Sequence, residues 1–168
     1  MRSIRLIPAV FLVMMGITSF GQQGTLNIRG IWKIESVQMV KPDGSNSTTI
    51  PLQSQVIFAK SYYSFCWTSD TVTARSWTMS DSAKLARMNQ TIVNTGTYHQ
   101  KGSLLTTKAS FGLNPMFTNG TATFSCSMSK DTLVLKGLSV FSAGQIAHPV
   151  YASGAHFVTR LVKTGQAD

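Results

Sequence analysis

Residues 31–40 read Ile31-Trp32-Lys33-Ile34-Glu35-Ser36-Val37-Gln38-Met39-Val40, and Lys41-Pro42-Asp43-Gly44 follows directly. Successive side chains of a strand point to opposite faces. Strict alternation therefore places Trp32, Ile34 and Ser36 on one face and Lys33, Glu35 and Val37 on the other. The next four residues end the strand by their own chemistry. Proline presets φ, and Asp-Gly tolerates the positive φ that comes after it. A half-buried strand closed by a tight turn is the expectation.

Working outward, the same pattern recurs. A polar loop, Ser45 to Thr49, leads to strands expected at Gln55–Lys60 and Tyr62–Thr68, close enough to form a hairpin. Ile92–Gln100, Ser103–Ala109, Thr121–Ser129, Thr132–Leu138 and His156–Val162 continue the series. Gln100-Lys101-Gly102-Ser103 and Ser129-Lys130-Asp131-Thr132 have the length of tight hairpin links. One stretch differs: Asp81 to Met88 is made of good helix formers, with Ser80 or Asp81 available as N-cap, and predicts a single short helix. Consecutive strands joined by short turns indicate an all-β domain, an up-and-down barrel or a sandwich.

Upstream, residues 1–21 fall into three zones. Arg2 and Arg5 form a positive start, Leu6 to Ile17 is apolar, and Thr18-Ser19-Phe20-Gly21 supplies small residues for cleavage before Gln22. The apolar run is too short for a membrane span, which takes about 20 residues. The reading is a cleavable secretory signal followed by one domain over 22–168. Its location would then be secreted or periplasmic.

Composition bounds the function. The chain has 168 residues, 43% hydrophobic but only 12% charged, so Ser, Thr, Asn and Gln must supply much of the polar surface, as suits exposed sheet faces. Its formal charge is +9. That excess would suit nucleic acid, yet Lys33, Lys41, Lys60, Arg75, Lys101, Lys108, Lys130 and Lys136 come singly, and an exported protein rarely meets nucleic acid. An anionic envelope surface is the more fitting partner.

Gly30-Ile31-Trp32 resembles the Gly-x-Trp opening of lipocalins. Phe58 with Tyr62-Tyr63-Ser64, then Asn94-Thr95-Gly96-Thr97-Tyr98, Asn114-Pro115 and Lys130-Asp131-Thr132-Leu133-Val134-Leu135 extend the likeness to the bacterial and fungal lipocalin-like domain family. It spans residues 29–163. The resemblance implies an antiparallel up-and-down β-barrel of about eight to ten strands, with one closed end and one open mouth, that binds a small molecule. It also implies that an arginine on the last strand, Arg160, covers Trp32. By periodicity Arg160 shares a face with Val158 and Val162, apolar enough to be the inner one. The first and last strands, Ile31–Val40 and His156–Val162, must then pair.

A barrel of this size holds side chains and at most one small ligand. Tyr63, Phe65 and Trp67 form an aromatic face on one strand; Ala122, Phe124, Cys126 and Met128 form another. The ligand-binding set is accordingly Tyr63, Phe65, Trp67, Tyr98, Phe124 and Met128, with Tyr63 and Tyr98 as polar anchors and Met116 and Phe117 shaping the rim. Trp32, Ile34, Phe65, Trp67, Phe124 and Met128 should be buried, and Lys33, Glu35, Lys60 and Lys101 exposed.

Catalysis finds no signature. His99, His148 and His156 lack metal-ligand spacing, and no nucleophile elbow accompanies any serine, so no catalytic residue, metal or cofactor is assigned. Cys66 and Cys126 leave two alternatives. An oxidising compartment favours pairing, whereas periodicity turns Cys66 outward and Cys126 inward. Three functions are carried forward: an exported binder of a small apolar or amphipathic molecule without catalysis, a barrel isomerase or cyclase using Tyr98 or His99, and a cationic interaction module at the cell envelope.

Overall fold

The computed structural model describes residues 26–71 and 77–167. The expected signal, 1–21, lies outside the described residues. Among them are nine strands: β1 (Gly30–Val40), β2 (Asn46–Thr49), β3 (Gln53–Ala59), β4 (Tyr62–Thr68), β5 (Thr91–Lys101), β6 (Leu104–Gly112), β7 (Thr121–Ser129), β8 (Thr132–Phe141) and β9 (His156–Gly165). Helix α1 (Asp81–Asn89) joins β4 to β5, and the short helix α2 (Pro149–Ala152) precedes β9. From β3 to β9 each strand pairs with the next, and β1 pairs with both β3 and β9. All of these pairings are antiparallel. Eight strands thus close a barrel. The ninth, β2, lies outside on the far half of β1, pairing Val37 to Val40 with Thr49 to Asn46. The stretch read as a polar loop therefore ends in a short, fully exposed strand. Threonines at 48 and 49 are strand formers, and the Lys41–Gly44 turn folds them back onto β1, with Gly44 at φ +83°.

The two ends differ in their connections. At one end Lys60-Ser61, Gly102-Ser103 and Lys130-Asp131 join adjacent strands, each as a two-residue loop. The chain before β1 seals this floor. Ile28 is 1% exposed, Trp32 Nε1 donates to the Ile28 carbonyl at 3.0 Å, and Gln100 Nε2 donates to the Leu26 carbonyl at 2.6 Å. An indole buried in a core needs a partner for its N–H, and here the plug segment provides it. At the other end lie the long connections: the turn and β2, α1, the Pro115–Phe117 3-10 turn, and the loop with α2. This end is the mouth.

The alternating faces hold over most strands. Trp32 and Ile34 are each 1% exposed, while Lys33, Glu35, Lys60 and Lys101 are exposed. Two local departures correct the expected register. A bulge between Ile34 and Ser36 inserts an extra residue, so Val37 rather than Ser36 turns inward. On β9, Thr159 and Leu161 form the inner face and Arg160 points out, pairing with Glu35 at 3.2 Å. Arg160 lies opposite Ser36 and does not cover Trp32. The strand runs on to Gly165, which brings Lys163 opposite Trp32, and Lys163 Nζ sits 5.7 Å from the indole centroid. The cation over the tryptophan exists, but it is a lysine on the inner face that Leu161 defines.

Helix α1 begins as expected, with Ser80 Oγ accepting from Ala83 N. Its residues are not buried; Arg87 fastens it to the barrel through Asp70 at 3.3 Å and Gln53 at 3.4 Å. Among the described residues no helix is long and apolar enough to cross a membrane.

Candidate functional site

Below the mouth the barrel is hollow. The lower half is filled by Trp32, Val56, Leu133 and Leu161, all at most 1% exposed, together with Ile28 from the plug. Phe58, Leu105 and Leu135 border a cavity of about 230 Å³. An engineered cavity of about 150 Å³ in another protein stays dry and holds benzene, so this one accommodates roughly ten heavy atoms.

Four of the six expected ligand-binding residues stand on the wall: Tyr63, Phe65, Trp67 and Phe124. Phe65, Trp67 and Phe124 keep partial exposure because the space they face is open. The structure puts Tyr98 and Met128 elsewhere. Tyr98 packs edge-on against Phe58, ring centroids 5.4 Å apart, toward the closed end. Met128 pairs with Leu133 next to the closed-end hairpin and packs on the core. Of the two rim residues, Phe117 reaches the cavity and Met116 is exposed.

Several wall residues were not anticipated. Asn94, Thr107, Thr159, His148, Tyr151 and Phe157 all line the cavity. Asn94 lies opposite Phe65, on the inner face, and its Oδ1 accepts a hydrogen bond from the Tyr63 hydroxyl. Burial pushes the Tyr63 phenol up to about 12, with Thr107 opposing the shift more weakly. At neutral pH the group is therefore a protonated donor.

The mouth is collared by rings. His148 stacks on Phe117 at 6.1 Å and meets Tyr151 and Phe157 edge-on at 5.9 and 6.4 Å. His148 caps α2, its Nδ1 accepting from Val150 N at 3.3 Å, which places the proton of the neutral ring on Nε2. Desolvation lowers the His148 pKa and raises that of Tyr151. A glycine makes room for the collar: a Cβ on Gly137 would fall on the Tyr151 hydroxyl and 2.9 Å from Cζ.

Cys66 and Cys126 are both free. They project to opposite sides of the wall, as periodicity indicated, and burial pushes the Cys126 thiol up to about 12. Among the described residues no group of three His, Cys, Asp or Glu could hold a metal ion. No family model matches the chain, and comparison with curated proteins and with solved structures finds no similar protein.

Proposed function

We propose that this chain is an exported lipocalin-like binding protein that holds one small apolar or amphipathic molecule inside its barrel and performs no catalysis on it. The observation that carries this reading is the cavity itself. It combines an apolar, aromatic wall with a few polar atoms, the composition typical of ligand pockets. The titratable groups on the wall support binding over isomerase or cyclase chemistry. Tyr63, Tyr151 and His148 all shift toward their neutral forms by desolvation. A general acid or base works best with a pKa near the operating pH, and both phenols move away from it. His99, the other candidate for such chemistry, is exposed.

The test is native mass spectrometry of protein purified from the cells that make it, joined to titration with the neutral fluorophore 1-naphthylamine, whose size matches the cavity. A single small-molecule adduct, or saturable fluorophore binding that Ala122→Trp abolishes without unfolding the barrel, is expected. A barrel that is always empty and binds no fluorophore overturns the reading.

A second reading, contact between the mouth and an anionic envelope surface, is supported by exposed apolar side chains on that end. Ile50, Leu52, Trp77, Leu85, Met88, Met116 and Ile146 all stand in its connections, on a chain of net charge +9 that stays strongly positive when Arg2 and Arg5 leave with the expected signal. Co-sedimentation with anionic vesicles should occur at low salt and fade at high salt, where the Debye length falls from about 10 Å at 0.1 M to about 3 Å at 1 M. Sedimentation with neutral vesicles alike would count against it.

A further inference from the structure

We infer that the cavity selects an uncharged molecule carrying a hydrogen-bond acceptor, a carbonyl oxygen above all, and that the Asn94 amide nitrogen is the donor receiving it. This rests on the reading of the barrel as a binding site and names the ligand class.

The argument starts from Asn94. An amide has one acceptor and one donor end, and its neighbours decide which end faces a ligand. Tyr63 is buried on the same wall and remains a phenol at neutral pH, so its proton needs an acceptor. Asn94 Oδ1 takes it. The amide is thereby oriented, and Nδ2 keeps both of its N–H groups without a protein partner. Among the described residues no buried side-chain nitrogen or oxygen lacks a hydrogen bond. An unpartnered Nδ2 on the inner wall is therefore reachable from the cavity it lines.

The rest of the wall sets the ligand's charge. Asp, Glu, Lys and Arg are all absent from the described lining. A carboxylate or ammonium would enter an apolar space without a counter-ion, at a desolvation cost its contacts could not offset. Phe65, Trp67, Phe124 and Leu105 surround the remainder of the space and suit a flat or branched apolar body. The occupant this describes is neutral and largely apolar, with its oxygen turned to the β5 wall.

Isothermal titration with three ligands of one size tests this. Acetophenone presents a carbonyl, α-methylstyrene replaces it by a methylene, and benzoate adds a charge. Wild-type protein should bind both neutral compounds and benzoate at least tenfold more weakly than acetophenone. Asn94→Leu should lower the acetophenone to α-methylstyrene affinity ratio by about tenfold, as expected for one lost hydrogen bond in a dry site. Tyr63→Phe guards against a folding defect at position 94. It keeps the ring but releases the amide to turn, so 1-phenylethanol, which can donate, should gain on acetophenone. An unchanged ratio in Asn94→Leu, or benzoate bound as tightly as acetophenone, overturns this inference and leaves the cavity a binding site. If neither neutral compound nor the naphthylamine binds wild-type protein, the binding reading falls together with it.

Discussion

At the scale of single residues, Gly137 shows how closely the mouth is fitted. It lies where the pairing of β7 and β8 shifts register, opposite Phe124, and the Tyr151 ring occupies the space its side chain would need. Gly137→Ala should force the Tyr151 ring out of the collar. A forced rearrangement in a packed site costs about 1–3 kcal/mol, and urea unfolding should register a loss of that order. Pairing the change with Tyr151→Ala, which removes the clashing ring, should recover part of it. Strictly additive losses would mean that the two residues do not meet. The same scale shows what residue type could convey. Trp32, Phe65, Trp67 and Phe124 were legible because a large apolar side chain on an alternating strand has one sensible direction. Asn94, Thr107 and Thr159 were not, since a polar residue on an inner face looks like a break in the pattern until a hollow is known to lie behind it. His148 was weighed only as a metal ligand, for which its spacing was wrong. Its role as a cap and stacked ring depends on a loop whose path alternation does not describe.

The elements came through more fully than their irregularities. β4 and β7 have the bounds that alternation predicted, Tyr62–Thr68 and Thr121–Ser129, and β1 lies beside β9 as closure requires. The bulge after Ile34 left no mark in residue type, so everything beyond it on β1 was placed on the wrong face. The reading of Arg160 failed for a related reason: Val158 and Val162 made an outer face look like an inner one. Both are half-buried on the outside of the wall while Thr159 and Leu161 face in. The hairpins carry a prediction of their own. Lys60 and Lys130 hold φ of 50° and 51° at the first loop position of two floor hairpins, a conformation that costs a side-chain-bearing residue roughly 1–2 kcal/mol. Glycine adopts it freely but has more chain entropy to lose on folding, about 0.5–1 kcal/mol. Lys130→Gly should therefore stabilise the barrel slightly, by up to about 1 kcal/mol, and raise its melting temperature. A lower melting temperature would show that the Lys130 side chain contributes something its exposed position does not reveal.

For the molecule as a whole, the hollow barrel ties stability to pH through its mouth. The shifted groups facing or bordering the interior all move toward neutrality: Tyr63 and Cys126 up to about 12, Tyr151 upward and His148 downward. On the alkaline side the folded chain keeps phenolic and thiol protons that the unfolded chain gives up, so stability declines as pH rises past the ordinary values of these groups. On the acid side the sign follows from His148. Its pKa is lowered by folding from an ordinary 6.5, so below that value the unfolded chain binds more protons than the folded one. Stability then rises with pH and is lost as pH falls. Protonation also fills Nδ1, the atom that accepts from Val150 N and starts α2, so the collar of Phe117, Tyr151 and Phe157 loses the element that holds it. His148→Asn separates the two effects, because asparagine can still cap the helix but does not titrate. The urea midpoint of wild-type protein should fall between pH 7.5 and 5.5, and that of His148→Asn should fall less. Naphthylamine release on acidification should weaken in parallel. Equal slopes for the two proteins would place the acid sensitivity elsewhere and leave His148 a packing residue of the mouth.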